Sequence, residues 1–152
     1  MKAKFINPFL RATVKVLSTM ANITPKAGKP GIKKGDIAQG GITGLTGHSE
    51  GSMSVTFSKE CALAVVNNMI GENFTEMNAD VADAVGELTN MISGDARSQL
   101  QKIGYSFSAA TPTIIRGENH SIKHISTGGP IVFIPFSTEN GKFWMEACFD
   151  PP

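Results

Sequence analysis

The stretch ADVADAVGELTNMISGDARSQLQKIG spans residues 79–104 and predicts the longest helix in the chain. Asn78 precedes it as a candidate N-cap, and Gly104 is placed to stop it, so the helix is expected over 79–103. At about 100° per residue, its largest apolar side chains fall in one narrow sector, which is the predicted core face. These residues are Val81, Val85, Leu88, Ile92, Ala96 and Ile103.

The opposite face of this helix carries residues that point to function, namely Asp83, Glu87, Asn90, Gly94, Arg97 and Gln101. A solvated surface is one interpretation. However, Asn costs several tenths of a kcal/mol relative to Ala in a helix interior, and Gly about 1 kcal/mol. Asn90 offers a donor and an acceptor, Glu87 an acceptor-only charge beside it, and Gly94 clearance for a bulky group. Glu87 and Asn90 together can bind a cation and orient a water, but they do not form a nucleophilic site.

Two shorter helices are predicted upstream. Apolar residues at three- and four-residue steps indicate an N-terminal helix, in which Pro8 fits only if it lies in the first turn. They are Phe5, Ile6, Phe9, Leu10, Val14, Leu17 and Met20. Residues 22–34 then read as a loop with at most a short strand. Ser58 is expected to cap a second helix, which Gly71 ends in the left-handed conformation.

Strands are predicted on both sides of the two C-terminal helices. The expected strands are 36–46, 50–58, 106–110, 113–116, 131–136 and 142–149. Asn140-Gly141 indicates a hairpin between the last two strands. Pro135 inside a strand predicts an edge position or a bulge. This order of elements predicts an α+β fold, with helices packed on a largely antiparallel sheet.

Composition limits the classes of partner. The 152 residues include 14 Lys and Arg against 13 Asp and Glu, and no basic run marks a nucleic-acid surface. No apolar run approaches the roughly 18 residues of a membrane span. With 41% hydrophobic residues, the chain is expected to form a single domain over 1–152, located in the cytoplasm. Cys61 and Cys148 are predicted to be small buried hydrophobes rather than a disulfide.

Three other features are not expected to carry the function. The glycine-rich run over 40–51 lacks the Gly-Lys-Ser/Thr of a phosphate loop and favours a closely packed strand. His120 and His124, with Glu118 nearby, lie in a loop composition that does not align them, so no metal site is predicted. Trp144 is expected in the core or in a dimer contact rather than in a stacking platform.

The sequence of the predicted long helix resembles that of a known protein family. The pattern Asp83-x-x-x-Glu87-x-x-Asn90, followed by ATPT around Pro112, resembles the signature of the chemotaxis phosphatase family that comprises CheC, CheX and FliY. The likeness is closest to the CheX branch, since a single copy of the motif is present. It extends through ITGLTGHSEGSMSVTFS (42–58), AVGELTNMISG (84–94), TPTIIRG (111–117) and IVFIPFS (131–137).

The resemblance implies an enzyme that dephosphorylates the aspartyl phosphate of CheY or of another response-regulator receiver domain. In it, Asn90 would orient the attacking water and Glu87 would pair with the receiver's active-site lysine. Asp83, Gly94 and Arg97 are then expected to support partner binding. A non-catalytic receiver-binding or adaptor domain is the alternative, and a structural dimerisation module is a third option.

The resemblance also implies the remaining components of the system. Mg²⁺ would be held by the receiver and not by this chain, which supplies no octahedral oxygen cluster in its sequence. A homodimer joined through the β-sheet is expected, with the strand at Pro135 and the hairpin at Asn140-Gly141 as its candidate contacts.

Overall fold

The computed structural model describes residues 3–29, 31–33, 43–49, 53–104, 113–118 and 131–147. The helices in these ranges are α1 (Ala3–Ala21), α2 (Lys59–Ile70) and α3 (Ala79–Lys102). The strands are β1 (Lys26–Ala27), β2 (Gly31–Lys33), β3 (Thr43–Ser49), β4 (Met53–Ser58), β5 (Thr113–Glu118), β6 (Ile131–Thr138) and β7 (Gly141–Ala147). No helix in the described ranges combines the length and the apolar character that crossing a membrane requires.

The described strands form one antiparallel sheet against which the helices pack. Its order is β1-β6-β7-β4-β3-β5, and β2 also pairs with β6. Every described pairing is antiparallel. The α+β fold predicted from the order of elements is therefore confirmed.

Three buried phenylalanines connect the middle of the sheet to the core. Phe57 on β4 lies opposite Phe143 on β7, with ring centroids 5.0 Å apart. Phe143 also lies opposite Phe136 on β6, and those rings stack 4.7 Å apart. Aromatic pairs of this kind contribute about 0.5–1.5 kcal/mol beyond the area they bury. The sheet thus offers a rigid apolar floor to the helices.

The predicted core stripe of α3 is confirmed except at its last position. Val81, Val85, Leu88, Ile92 and Ala96 are each 0% exposed, whereas Ile103 is 47% exposed. The expectation for Ile103 was wrong because α3 ends at Lys102. Ile103 is the C-cap, with a non-helical φ of −106° and ψ of 16°, so its side chain leaves the helical wheel. Leu100 takes the buried position in the last turn.

The helix boundaries confirm the predicted caps. Ser58 Oγ accepts a hydrogen bond from the backbone N–H of Cys61 at 3.3 Å. At the other end of α2, Gly71 has φ +71° and donates its N–H to the carbonyl of Asn67 at 2.9 Å. Asn78 Oδ1 accepts from the N–H of Val81 at 2.9 Å. Each cap satisfies a backbone group that a helix end leaves unpaired.

Pro8 lies in the second turn of α1, so the expectation of a first-turn position was wrong. The helix begins at Ala3, five residues before the proline. Pro8 has no N–H to donate to the carbonyl of residue 4, and the helix continues without that hydrogen bond.

Pro135 does not lie at an edge of the described sheet. β6 is paired with β7 on one side and with β1 and β2 on the other. Ala27 pairs with Phe136, and Gly31 pairs with Phe133. The segment that contains β1 and β2 thus uses four residues where β6 uses three, so the extra residue lies in that segment and not in β6. Gly28 donates its N–H to the carbonyl of Pro135 at 2.7 Å. The pairing is therefore irregular near Pro135, as expected, but the extra residue lies between β1 and β2.

The predicted hairpin between the last two strands is confirmed. Thr138 pairs with Gly141 across the turn formed by Glu139 and Asn140, and Gly141 has φ +115°. Trp144 is half-buried on β7, opposite Thr56 and Pro135.

Several predictions fall outside the described residues. They concern the strand over 106–110, the beginnings of the strands expected from 36 and 50, the motif residue Pro112, the pair His120 and His124, and Cys148.

Candidate functional site

The long helix α3 is held in place mainly by its buried side. Two polar contacts also join it to α1: Lys15 Nζ lies 3.1 Å from Asp95 Oδ1, and Arg11 Nε donates to Gln99 Oε1 at 3.2 Å. Exposed ion pairs contribute only about 0–1 kcal/mol, so the fully buried core stripe dominates the energetics. The outward face of α3 is therefore presented by a rigid element.

Glu87 and Asn90 lie next to each other on that outward face. Both side chains are exposed, and neither makes a hydrogen bond or ion pair within the described part of the chain. Residues at i and i+3 of a helix have Cβ atoms roughly 5–6 Å apart. The structure thus brings the carboxylate and the carboxamide together, as the wheel predicts, with both groups available to a partner.

The other predicted site residues extend the same stripe along the helix axis. Asp83 is exposed, whereas Gly94 and Arg97 are half-buried. The stripe is acidic toward the N-terminus of α3, neutral in the middle and cationic at Arg97. The structure places all of these residues on one face, and their roles in partner binding stay predictions.

Arg97 is positioned by contacts rather than by a charged partner. A Cβ at Gly94 would lie 3.6 Å from Arg97 Nη2, so the guanidinium lies beside the glycine of the preceding turn. The Nε atom of Arg97 is buried and has no hydrogen-bond partner among the described residues. The head group of Arg97 thus lies over Gly94 at a distance that would be an ordinary van der Waals contact for a Cβ.

Two buried polar residues of α3 could not be singled out from the sequence. Thr89 and Ser93 are each 0% exposed. Thr89 Oγ1 donates to the carbonyl of Val85 at 2.8 Å, which satisfies the hydroxyl inside the helix. Ser93 Oγ has no hydrogen-bond partner in the part of the chain that the structure describes. The wheel offered a weak signal, because both residues border the apolar stripe.

The buried thiol of Cys61 is not arranged for nucleophilic chemistry. Burial raises the pKa of Cys61 from 9.0 to about 11, and a hydrogen bond with Thr138 acts in the opposite direction. The two side-chain atoms are 4.0 Å apart. Since the thiolate is the reactive form, a thiol that stays protonated at neutral pH is inert. The prediction that Cys61 is a small buried hydrophobe is confirmed.

The Glu87 and Asn90 pair lies outside the two surface depressions that the described residues line. Surface depressions of about 590 Å³ and 730 Å³ occur elsewhere, one beside the β6–β7 hairpin and the other between α1 and α3. Neither is lined by Glu87 or Asn90. No group of three or more His, Cys, Asp or Glu side chains that could hold a metal ion occurs among the described residues. Small ligands favour concave pockets, so an exposed helix face fits a macromolecular partner.

Solved structures define the class of this protein. A CheC-like superfamily protein from Shewanella sp. PV-4 is 42% identical, with a TM-score of 0.85 over 99% of both chains. An α+β domain with this topology and an exposed long helix is a CheC-like fold.

Further comparisons define the family within that class. The protein-family model described as "Chemotaxis phosphatase CheX" matches residues 39–137 of this chain. The CheY-P phosphatase CheX of Thermotoga maritima is 31% identical over 141 residues, which are 90% of this chain and 89% of that protein. The chain belongs to the CheX family of chemotaxis phosphatases, which confirms the resemblance seen in the sequence.

One similar structure contains a second protein. It is described as the CheX-CheY-BeF₃-Mg²⁺ complex from Borrelia burgdorferi and is 29% identical to this chain. Its TM-score is 0.71, and the match covers 95% of this chain and 96% of that one.

Proposed function

We propose that this chain is a protein phosphatase that hydrolyses the aspartyl phosphate of phosphorylated CheY or of a related receiver domain. The observation that carries the proposal is the exposed pair of Glu87 and Asn90 on a rigid helix of a CheX-family fold. The Thermotoga maritima relative is named as a CheY-P phosphatase, and the Borrelia burgdorferi structure is named as a complex with CheY. Both names support the same substrate class.

Asn90 is the proposed water-orienting residue. Its carboxamide has both an acceptor and donors, so it can hold a water with one lone pair directed at the phosphorus atom. An acyl phosphate is already labile, and positioning supplies much of the assistance that remains. An acceleration of roughly 10² to 10³ corresponds to about 2.7–4 kcal/mol of barrier, which orientation can provide.

Glu87 is the proposed contact for the receiver's active-site lysine. A carboxylate accepts only, so it pairs with an ammonium group and not with the phosphoryl oxygens. Its place three residues before Asn90 fixes the distance between the lysine contact and the water. Asp83 adds negative charge at the same end of the stripe, and Gly94 leaves clearance for the approaching receiver.

Mg²⁺ is proposed to belong to the receiver. The ion appears in the name of the Borrelia burgdorferi complex. When bound, it neutralises charge on the phosphoryl oxygens. This chain contributes the groups on α3.

A homodimer through the sheet is also part of the proposal. The segment at Pro135 is paired by β1 and β2, so it does not offer the free strand edge that the sequence suggested. In the described sheet, β5 at one end pairs only with β3. An edge of this kind can add a strand from a second copy. A cytoplasmic location, shared with the receiver, completes the proposal.

The decay of a phosphorylated receiver tests the function. A CheY-type receiver from the same organism is phosphorylated, and its decay in Mg²⁺ is followed alone, with this chain, and with the Asn90→Ala variant. We expect faster decay with the unmodified chain only. Asn7→Ala is the matched control, since it removes an exposed carboxamide from α1, outside the stripe.

Each other outcome has a distinct meaning. A fully active Asn90→Ala variant with unchanged circular dichroism would remove Asn90 from the chemistry. Unchanged decay despite complex formation would show the adaptor function instead. If the chain neither accelerates decay nor binds that receiver, the structural dimerisation module becomes the favoured interpretation.

A further inference from the structure

The charge pattern of the α3 stripe has a direction. Glu87 and Asp83 lie on the N-terminal side of Asn90, and Arg97 lies on the C-terminal side. Arg97 follows Glu87 by ten residues, which corresponds to about 15 Å along the axis at 1.5 Å per residue. Between the two charges the stripe is neutral. A partner that covers the whole stripe therefore meets an anion at one end and a cation at the other.

Arg97 differs from the cations that are already paired within this fold. Arg11 donates to Gln99, Lys15 pairs with Asp95, and Lys59 lies 3.5 Å from Glu76. No hydrogen bond or ion pair of Arg97 occurs within the described part of the chain, and its buried Nε is unsatisfied. The buried Nε is out of reach of a partner, so an acceptor that arrives with a partner would accept from the two Nη groups of the guanidinium.

The side chain of Arg97 is also held before any partner binds. Its Nε is buried, and its Nη2 lies beside Gly94, one turn nearer to Asn90. Helical side chains lean toward the N-terminus, so this direction is the expected one. A head group that is already placed loses less conformational entropy on binding. Its planar fork suits a carboxylate, which it can bind through two parallel hydrogen bonds.

We infer that Arg97 binds a surface carboxylate of the receiver domain, an Asp or Glu side chain roughly 10–15 Å from the lysine that Glu87 contacts. This inference rests on the proposed function, because it takes the partner to be a receiver. The two charges together fix the direction in which the receiver lies along α3. Reversing the receiver would place like charges opposite each other at both ends, which disfavours that orientation. Arg97 is thus a docking residue that positions the phosphoryl group at Asn90, and it is not a catalytic residue.

The test separates docking from chemistry. KM and kcat for decay of the phosphorylated receiver are measured for the unmodified chain and for Arg97→Ala, Arg97→Lys and Arg97→Glu. Loss of a charge-assisted hydrogen bond predicts roughly a 10-fold rise in KM for Arg97→Ala, with kcat within about twofold. Arg97→Lys keeps the positive charge but lacks the planar guanidinium, so its KM is expected to lie between those of the unmodified chain and Arg97→Ala. Lys102→Ala is the matched control, since Lys102 is an exposed cation in the last turn of α3.

Charge reversal identifies the receiver group. Exposed Asp and Glu residues of the receiver are replaced one at a time by Arg, and each variant is assayed with Arg97→Glu. One receiver variant is expected to restore at least about half of the lost affinity. An unchanged KM for both Arg97→Ala and Arg97→Glu, with an active unmodified chain, would overturn the inference. So would the absence of any rescuing receiver variant.

Direct binding keeps this inference distinct from the proposed function. The Kd for the receiver carrying beryllofluoride and Mg²⁺, a stable mimic of the phosphoryl group, is measured for the same variants at low and high salt. If the unmodified chain binds without accelerating decay, the phosphatase proposal fails while a weaker Kd for Arg97→Ala still supports the docking contact. If the unmodified chain does not bind the receiver, both fail.

Discussion

The backbone of Gly141, in the β6–β7 hairpin, lies against the hydroxyl of Ser58, which caps α2. A Cβ at Gly141 would be only 2.9 Å from Ser58 Oγ and 3.6 Å from the backbone nitrogen of Cys61. The same hydroxyl accepts the N–H of Cys61 at the first turn of α2. The hairpin and the start of the helix thus fit together only because residue 141 has no side chain.

Gly141→Ala is expected to lower the free energy of unfolding by about 3 kcal/mol or more. It adds the cost of a side chain at φ +115° to a close contact with Ser58. Gly71→Ala is the matched control, because Gly71 has φ +71° but nothing within 4 Å of its Cβ position. That variant is expected to lose only about 1–2 kcal/mol.

Urea denaturation measures both losses. The double variant Ser58→Ala with Gly141→Ala should lose less stability than the sum of its single changes, because the close contact is gone. Additive losses would show that the contact with Ser58 does not contribute.

Stability is expected to fall between pH 9 and pH 11 because of Cys61. Burial raises the pKa of this thiol from 9.0 to about 11 in the folded state. The folded chain therefore holds the proton more tightly than the unfolded chain. The contribution is fully present below pH 9 and is lost as the pH rises toward 11, by a total of about 2–3 kcal/mol.

Cys61→Ala isolates this effect. The free energy of unfolding is measured from pH 8 to pH 11 for both proteins, and the difference between them should shrink as the pH rises. A constant difference across this range would mean that the thiol does not titrate differently in the two states.

Gly94→Ala is expected to stabilise the fold and to weaken receiver binding. Alanine gains about 1 kcal/mol over glycine in a helix interior. Its methyl group would make an ordinary contact, 3.6 Å from Arg97 Nη2. If Gly94 provides clearance, the KM for the phosphorylated receiver should rise while the chain becomes more stable. Gly94→Leu should raise KM further.

Thr19→Ala serves as the control for stability itself. Thr19 is exposed on α1, and its hydroxyl donates to the carbonyl of Lys15 in the same helix. Any gain in helix stability there should leave KM unchanged. Equal KM values for Gly94→Ala and the unmodified chain would argue against the clearance role.

Glu87→Gln is expected to raise the KM for the receiver and to reduce its dependence on salt. The change keeps the shape of the side chain and removes its charge. Since exposed pairs are worth up to about 1 kcal/mol, a rise of roughly fivefold is expected. Steady-state kinetics at two ionic strengths provide the measurement.

Glu60→Gln is the corresponding control, because Glu60 is exposed in the first turn of α2. It should change neither KM nor the salt dependence. A Glu87→Gln variant that behaves like this control would exclude an ionic contact at Glu87.

Much of the helical structure could be predicted from the sequence because its signals act within a turn or two. The caps at Ser58, Gly71 and Asn78 satisfy backbone groups only a few residues away. The outward face with Glu87 and Asn90 follows from the helical period alone. The same reasoning failed at Ile103, where the helix ends and the period no longer holds.

Strand pairing required the tertiary structure. Lys26 pairs with Ser137, over a hundred residues later, and the segment containing β1 and β2 therefore covers the strand that Pro135 had suggested as an edge. No local pattern at Pro135 reports on that distant segment. Its position depends on the burial and hydrogen bonding of the whole sheet.

The candidate site divides in the same way. Residue types and the helical period determined which groups lie on the outward face of α3, and the family motif identified Glu87 and Asn90 among them. Only the tertiary structure decided that Arg97 lies beside Gly94 with its Nε buried, and that Gly141 lies against the cap of α2. Helical periodicity is a property of neighbouring residues, whereas burial and contact depend on chain segments that packing alone brings together.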